Sequence, residues 1–267
     1  MSLHATLKAA PTLARVGVMQ AVAYRAELFV WILSTSMPLV MLALFSAVAA
    51  EGPLGRFSAA DFTAYFLGTF IVRQFTASWA SWEINDEVRT GTLSMRLLRP
   101  VSPIVSYAIE NLSAMPLRLV IALPVAFAML AATGSERLPG DAAGWLLFLL
   151  SWIGAWLLTF IVHVIMGTLS FWMEQSMKLM DVWFAGYLVF SGYLVPIELF
   201  PTGLREVALY SPFHAQIGLP VEALLGAHTR AETVAWIALQ WGWVLVLGTL
   251  AAVLWRRGLR RFGAVGG

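Results

Sequence analysis

The sequence predicts an all-α polytopic membrane protein built as a single transmembrane domain over residues 1–267. Of its 267 residues, 60% are hydrophobic and only 12% are charged, whereas soluble domains carry about 25% charged residues. Six apolar runs each reach the roughly 17 to 25 residues that a helix needs to cross a bilayer. Six crossings place both chain termini on one side of the membrane.

The six predicted transmembrane helices follow one another with short connections, at about 28–50, 61–82, 104–132, 144–172, 179–200 and 233–255. Residues 2–25 are too polar to cross, yet Leu3 and Leu7 share a helical face that excludes Lys8 and Arg15. This amphipathic pattern favours an N-terminal interfacial elbow helix at about residues 2–25 over a frayed tail.

The basic residues predict the orientation of the spans. The side of the termini holds most of them: Lys8, Arg15, Arg25, Arg89, Arg96, Arg99, Lys178, Arg256, Arg257, Arg260 and Arg261. The opposite side holds Arg56, Arg137, Arg205 and Arg230. Since cytoplasmic loops carry an excess of lysine and arginine, both termini are predicted to be cytoplasmic. The predicted location is the cell membrane, either a plasma membrane or a bacterial inner membrane.

Composition excludes several classes of function. The net charge of +2 arises from arginines at membrane edges, so the lipid bilayer is the expected partner and nucleic acid is not. Cysteine is absent, which removes disulfides, thiol catalysis and thiolate metal sites. The sequence contains no phosphate-binding glycine loop, no serine nucleophile elbow and no paired zinc-binding histidines. We therefore predict no catalytic residue, no metal site and no bound cofactor in this chain.

A charged segment, EINDEVRTGTLSMRLLRPVSP at 83–103, connects the second and third spans on the predicted cytoplasmic side. Its charged side chains lie between two long apolar runs. The segment is predicted to form a two-faced helical element at about 83–100 on the membrane surface. Two interpretations remain for it, an ordinary interfacial loop or a surface that a soluble partner contacts.

The local sequence predicts how this charged segment folds. Two helical turns are expected first, with Asp86 and Arg89 at a spacing that favours an ion pair. Gly91 suits the end of that helix. Thr92 suits the cap of a second short helix, which Pro100 then ends.

The external loop before the last span, at about 201–229, is long and unusually apolar. Pro201, Pro212 and Pro220 divide it into short helical pieces, and neither half is long enough for an additional span. We therefore predict external re-entrant helices that dip into the membrane or cover the bundle. Non-helical backbone at that depth must be satisfied by protein or by a wet cavity.

Four ionisable residues fall within the predicted spans and are candidates for an intramembrane pathway: Arg73, Glu110, Arg118 and His163. A charge at bilayer depth is costly and usually faces a partner or a water-filled path. Arg73 and Glu110 lie roughly 10 to 15 Å from the cytoplasmic ends of neighbouring spans at 1.5 Å per residue. We expect these two to pair, as a structural link or as part of a proton relay.

Two passages resemble the membrane subunits of ABC-2 type ABC transporters. EINDEVRTGTLSMRLLRP is similar to the family's acidic helix followed by Gly-Thr-Leu and a Leu-Leu-x-Pro end. FSGYLVPIELFPTGLREVALYSPF is similar to its Gly-x-x-x-Pro and Pro-Phe signature. With the elbow helix and the six spans, the resemblance covers nearly the whole chain. It is closest to the short ABC-2 permeases that pair with a second permease and a separate ATPase.

The resemblance implies the permease subunit of an ATP-driven exporter. A separate cytoplasmic ABC ATPase would bind ATP and magnesium, and a second ABC-2 permease, homologous or identical, would complete the translocation path. The implied coupling helix docks on the ATPase through Glu83, Asp86, Glu87, Arg89, Gly91, Thr92 and Leu93. The implied external gate contains Gly192, Pro196, Pro201, Pro212 and Phe213. Replacing Glu87 with Lys is then expected to uncouple ATP hydrolysis from transport without disturbing the fold.

The alternative interpretation is an ion- or proton-coupled secondary transporter or channel that uses Arg73, Glu110 and His163. Such proteins contain inverted repeats and helices broken at mid-membrane. The sequence shows neither feature, and this interpretation leaves the charged segment at 83–103 unexplained. An intramembrane enzyme, the third class, lacks a nucleophile and a base.

Overall fold

The computed structural model describes residues 36–133 and 138–265, together with positions 11, 12, 15 and 19. In these residues the regular structure is helical, apart from one β-bridge between Leu54 and Phe57. The α-helices from residue 36 onward are α1 (Met37–Ala49), α2 (Ala59–Thr76), α3 (Ala80–Thr90), α4 (Leu93–Leu97), α5 (Pro103–Ser113), α6 (Met115–Thr133), α7 (Ala142–Thr168), α8 (Ser176–Phe190), α9 (Thr202–Tyr210), α10 (Gly218–Leu224) and α11 (Arg230–Val265). Short 3₁₀ helices lie at Leu169–Phe171, Ile197–Leu199 and His214–Gln216. The prediction of an all-α fold is confirmed for this part of the chain, and its helices are consistent with a membrane protein.

Two of the described helices are long and apolar enough to cross a membrane. They are Ala142–Phe171, which is α7 with its 3₁₀ extension, and Arg230–Phe262 within α11. They match the fourth and sixth predicted spans. The third predicted span corresponds to α5 and α6, a pair bent by 53° that would count as one further crossing. A topology of six spans therefore stays a prediction, and the predicted elbow helix at 2–25 lies outside the described residues apart from positions 11, 12, 15 and 19.

The second predicted span is broken. Helix α2 ends at Thr76, Ala77 adopts an extended backbone (φ −67°, ψ 142°), and α3 begins at Ala80. The Ser78 hydroxyl accepts a hydrogen bond of 3.3 Å from the Ala80 amide, a local contact of the kind that competes with helix formation. Sequence analysis found no helix broken at mid-membrane; the break at residues 77–79 lies near the end of the second predicted span and was not predicted.

Helix α7 lies at the centre of the described structure, because α2, α3, α10 and α11 all pack against it. One group of buried side chains joins α2 to α10 and includes Phe62, Phe66 and Val221. A second group joins α3 and α5 to α7 and α11, and it includes Ile84 and Tyr107. The charged segment between the second and third spans is thus anchored to the centre of the domain.

The apolar loop before the last span divides into an exposed and a buried half. Most of α9 is exposed, with Ala208 as its buried residue. All seven residues of α10 are buried, as is the 3₁₀ helix before it. Half of the loop is therefore packed inside the described structure, and the predicted re-entrant position in a membrane stays a prediction.

Candidate functional site

The charged segment forms a corner at Gly91. Gly91 ends α3 with a left-handed backbone (φ +77°), as the sequence predicted, because an L side chain rarely adopts that conformation. Thr92 does not cap α4; its hydroxyl lies 2.8 Å from the hydroxyl of Thr90 instead. The Ser94 hydroxyl donates to the Gly91 carbonyl at 2.7 Å and helps to close the corner.

Arg96 is the centre of an ion-pair network that holds this corner. Its Nε lies 3.0 Å and its Nη2 2.6 Å from Glu87 Oε1, and its Nη1 donates to Glu110 at 2.8 Å. The Tyr107 hydroxyl donates to Glu87 at 2.6 Å, and the guanidinium lies 4.2 Å from the Tyr107 ring centre. The three charged side chains are only 13 to 18% exposed. Helices α3, α4 and α5 are therefore linked through one arginine.

The electrostatics of the network follow from burial and pairing. Burial disfavours the charged form of Arg96, but its hydrogen bonds with Glu87 and Glu110 outweigh this effect and raise its pKa. Burial also raises the pKa of Glu83 to about 7, and the negative charge of Glu110 contributes to that shift. The indole of Trp79 donates to Glu83 Oε1 at 2.8 Å, while Oε2 is buried without a hydrogen-bond partner. Glu83 is thus a carboxyl that titrates near neutral pH.

The predicted docking residues do not share one surface. Asp86, Arg89 and Thr92 are exposed, whereas Leu93 is fully buried. Arg89 donates to the carbonyl of Glu174 at 3.2 Å, and this contact replaces the ion pair expected between Arg89 and Asp86. The segment therefore offers only part of the predicted set to a partner.

Glu87 faces the interior of the corner. Its carboxylate is held by Arg96 and Tyr107. This geometry predicts instead that Glu87→Lys disturbs the fold, because a lysine there would face Arg96 and remove an acceptor that Arg96 and Tyr107 share.

Sequence reasoning missed an exposed apolar surface on α4 and the residues after it. Met95 is 67% and Leu98 is 87% exposed, and the exposed Arg99 follows them. We call Met95, Leu98 and Arg99 the outer face of α4. The sequence does contain two apolar residues within a charged loop. Whether they point outward, however, depends on how the chain turns at Gly91.

Arg118 fills the break in the second span. Its Nη1 donates to the carbonyl oxygens of Gln74 at 3.1 Å and Ala77 at 3.0 Å, and its guanidinium lies 5.0 Å from the ring centre of Trp79. The side chain is fully buried. On the other side of the break, the Ser81 hydroxyl lies 2.9 Å from His163 Nδ1. Two of the four predicted intramembrane residues, Arg118 and His163, are therefore structural partners of the broken helix.

The predicted pair of Arg73 and Glu110 does not form in the structure. Glu110 binds Arg96 of the charged segment. Arg73 lies 5.5 Å from the ring centre of Tyr187. The sequence misassigned the partner because Arg96 is fourteen residues away on a short helix that folds back over α5.

The predicted external gate residues are distributed from the end of α8 to the 3₁₀ helix at His214–Gln216. Gly192 turns the chain with φ +83°, and its carbonyl accepts a hydrogen bond of 2.8 Å from the Tyr65 hydroxyl. A Cβ at Gly192 would collide with that hydroxyl. The Phe213 ring lies 4.6 Å from the Trp183 ring and against Gly186. Of the prolines, Pro196 precedes Ile197–Leu199, Pro201 precedes α9, and Pro212 accepts from the Gln216 side chain at 3.2 Å.

Glu222 on α10 was not predicted. Its Oε2 lies 2.9 Å from Nε2 of both His214 and His228, so one carboxylate links the 3₁₀ helix to the chain that enters α11. Burial raises the pKa of Glu222, but the two imidazoles outweigh burial and hold it below the usual range. A cavity of about 270 Å³ adjoins this group, and its lining includes Tyr65 and Glu198. The histidines looked scattered in the sequence, since only folding brings them to one acid.

Comparison with protein families finds one match over most of the chain. A family described as ABC-2 family transporter protein matches residues 31–266. The matched range contains the charged segment, α7, the external loop and α11. No curated protein matches the chain.

Proposed function

The chain belongs to the ABC-2 family of transporter proteins, and from this membership we propose that it is the permease subunit of an ATP-driven exporter. The family assigns it to the membrane permeases of ABC transporters, which act with an ATPase and a partner permease. We propose that a separate cytoplasmic ATPase binds ATP and magnesium. A second ABC-2 permease, identical or homologous, completes the path, with the second and fifth spans at their interface. The six-span topology, cytoplasmic termini and N-terminal elbow helix are part of this proposal.

The observation that supports this proposal best is the outer face of α4. Met95 and Leu98 are exposed within a charged segment that is predicted to face the cytoplasm, and exposed apolar side chains within a polar surround are typical of a binding surface. Arg99 and the exposed Asp86 and Arg89 supply charges around them. We propose that this surface docks on the ATPase, and that Glu83, Glu87 and Leu93 support it from inside.

The network around Arg96 gives the docking surface a mechanical role. A force on α4 reaches α3 through Glu87 and α5 through Glu110, because both carboxylates bind the same guanidinium. Helix α3 continues into the break at residues 77–79, and α5 leads into the third predicted span. Closure of the ATPase would in this way move two spans together.

A photo-crosslinking experiment tests the docking proposal. A photoreactive amino acid at position 98 in the full chain, expressed in its native membrane, is expected to trap a P-loop ATPase identified by mass spectrometry. Position 207, a valine on α9 that is also exposed, is the matched control and is expected to trap none. Leu98→Asp is expected to abolish copurification of that ATPase. The proposal is abandoned if position 98 gives only lipid adducts and Leu98→Asp retains full ATPase binding.

The external gate is the second part of the proposed mechanism. Phe213 lies against Gly186 of α8, and Gly192 is held by Tyr65 of α2. The first contact joins the loop before the last span to the fifth predicted span, and the second joins the fifth span to the second. We propose that movement of the fifth span away from the second shifts Phe213 and opens the outer end of the path.

The broken second span is the observation that favours the second candidate, an ion-coupled transporter. Unwound backbone carbonyls coordinate the coupling ion in many such proteins. Here the carbonyls of Gln74 and Ala77 already bind Arg118, which supplies a fixed positive charge where an ion would sit. Transport by reconstituted protein that followed an ion gradient and did not need ATP would favour this candidate over the exporter.

A further inference from the structure

Helix α11 extends beyond the length that a membrane requires. It has 36 residues, or about 54 Å at 1.5 Å per residue, whereas about 20 residues span the hydrocarbon core. Its apolar sequence ends at Trp255, and four arginines follow within six positions: Arg256, Arg257, Arg260 and Arg261. The helical structure continues through all of them.

The packing of α11 fixes the direction in which these arginines point. Trp255 and Phe262 lie against Phe171, with ring centres 5.9 Å apart in each pair. Gly258 lies between them, and a Cβ there would overlap the Phe171 ring. All four arginines are exposed. At 100° per residue they cover one face of about 140°, opposite the packed face.

The arginine face continues the apolar face of the same helix. Val246, Leu250 and Val253 are exposed at steps of three or four residues, and the next steps reach Arg257 and Arg260. An exposed apolar stripe on a membrane helix contacts lipid chains. A cationic stripe directly below it therefore lies at the depth of the lipid headgroups, on the side that the basic residues predict to be cytoplasmic.

No acidic side chain in the described residues neutralises the four arginines. Within the described residues, none of the four arginines makes an ion pair or a side-chain hydrogen bond. The only acidic residue in α11 is Glu232, in its first turn. Like charges at i,i+4, such as Arg256 with Arg260, disfavour each other. An external anion removes that cost, and the guanidinium fork suits phosphate oxygens in particular.

From these observations we propose that Arg256, Arg257, Arg260 and Arg261 form a binding site for the headgroups of anionic phospholipids in the cytoplasmic leaflet. The site goes beyond the proposed export function, and only its place in the cytoplasmic leaflet rests on the topology proposed there. Basic clusters next to a transmembrane helix are attracted to anionic lipid surfaces, and a rigid helix presents four donors at fixed spacing. Phosphatidylglycerol and phosphatidylcholine with identical acyl chains share the phosphate but differ in the rest of the headgroup, so that the first has a net negative charge and the second is neutral.

Native mass spectrometry of the delipidated full chain, titrated with these two lipids, tests the proposal. The wild-type protein is expected to retain phosphatidylglycerol in preference to phosphatidylcholine. Replacing all four arginines with Gln is expected to lower that preference by about fivefold or more, since one charge near an anionic surface is worth about that factor. Arg205 is an exposed arginine on α9. The control variant Arg205→Gln should keep the wild-type preference for phosphatidylglycerol.

Two further arms keep the test decisive. Replacing the four arginines with Lys preserves charge and fold but removes the guanidinium fork, and is expected to give an intermediate preference. If the Gln variant does not fold, the pairs Arg256→Gln with Arg260→Gln and Arg257→Gln with Arg261→Gln replace it. An unchanged preference in the folded variants overturns the proposal. Displacement of phosphatidylglycerol by excess inorganic phosphate also overturns it, because the site would then bind a soluble anion.

Discussion

The guanidinium of Arg118 donates a hydrogen bond of 3.0 Å to the carbonyl oxygen of Ala77, at the point where the second predicted span is interrupted. The same nitrogen reaches the carbonyl of Gln74 at 3.1 Å. Backbone groups inside a membrane must be satisfied within the protein, so a broken span needs such a donor. One side chain of α6 thus makes the break in the neighbouring span possible.

Replacing Arg118 with Leu is expected to destabilise the protein strongly. The change leaves two buried carbonyls without this donor, and each unsatisfied group costs about 1 to 3 kcal/mol. Thermal unfolding in detergent, followed by circular dichroism, should show a lower midpoint. Arg118→Lys keeps a hydrogen-bond donor, so its unfolding midpoint should fall less. Arg205→Leu on the exposed α9 serves as the control. An unchanged midpoint in Arg118→Leu would show that the break is held by other contacts.

Arg96→Gln is expected to loosen the corner of the charged segment. It removes charge-assisted hydrogen bonds to Glu87 and Glu110, with a loss on the order of 2 kcal/mol. Limited trypsin digestion measures this local opening at the bond after Arg89, since Pro100 blocks cleavage after Arg99. Cleavage after Arg89 should become faster.

The control for Arg96 is a double-mutant cycle with Glu110→Gln. If the two residues interact as described, the double variant loses less stability than the sum of the losses in the two single variants. Additive effects would contradict a direct interaction between them.

Much of the fold could be predicted because apolar length and turn residues are local properties. The fourth and sixth predicted spans and the corner at Gly91 follow from such signals, and the structure contains them. The break at residues 77–79 could not be predicted this way. Hydropathy reports burial but not hydrogen bonding, and the donor to Ala77 is forty-one residues further along the chain.

The candidate site was predicted in position but not in orientation. The charges of 83–100 marked it as a surface, yet Glu87 faces inward and Leu98 faces outward. A helix of five residues has no clear amphipathic period, so the direction of its side chains is set by Arg96 and its two acidic partners. Such partners, nine and fourteen residues away, have no signature in the sequence.

Glu83 is expected to make stability depend on pH near neutrality. Burial raises its native pKa to about 7 from 4.5, so the native state holds the proton more tightly than the unfolded chain does. Its contribution is fully favourable below about pH 4.5 and is lost as the pH rises to about 7. Glu83→Gln stays neutral and keeps an acceptor for Trp79. At pH 8 this variant should be more stable than the wild type, by on the order of 1 to 3 kcal/mol.

Denaturant unfolding at a series of pH values measures this difference. The advantage of Glu83→Gln should shrink as the pH falls from 7 to 5, because the wild-type carboxyl then becomes neutral too. Glu206→Gln, at an exposed position of α9, is the matched control and should show no such trend. A constant difference at all pH values would mean that Glu83 does not titrate in this range.

The contact between α3 and α7 depends on Gly167. A Cβ on Gly167 would lie 2.7 Å from the Cβ of Ile84 and 3.1 Å from the Cα of Ser81, so Gly167→Ala is expected to push α3 away from α7. Overpacking of this kind costs about 1 to 3 kcal/mol. Gly242→Ala on α11 is the matched control, because no atom lies within 4 Å of a Cβ there. Since alanine favours a helix by about 0.5 to 1 kcal/mol over glycine, thermal unfolding should show opposite shifts for the two variants. A higher midpoint in both would contradict the close packing of the charged segment on α7.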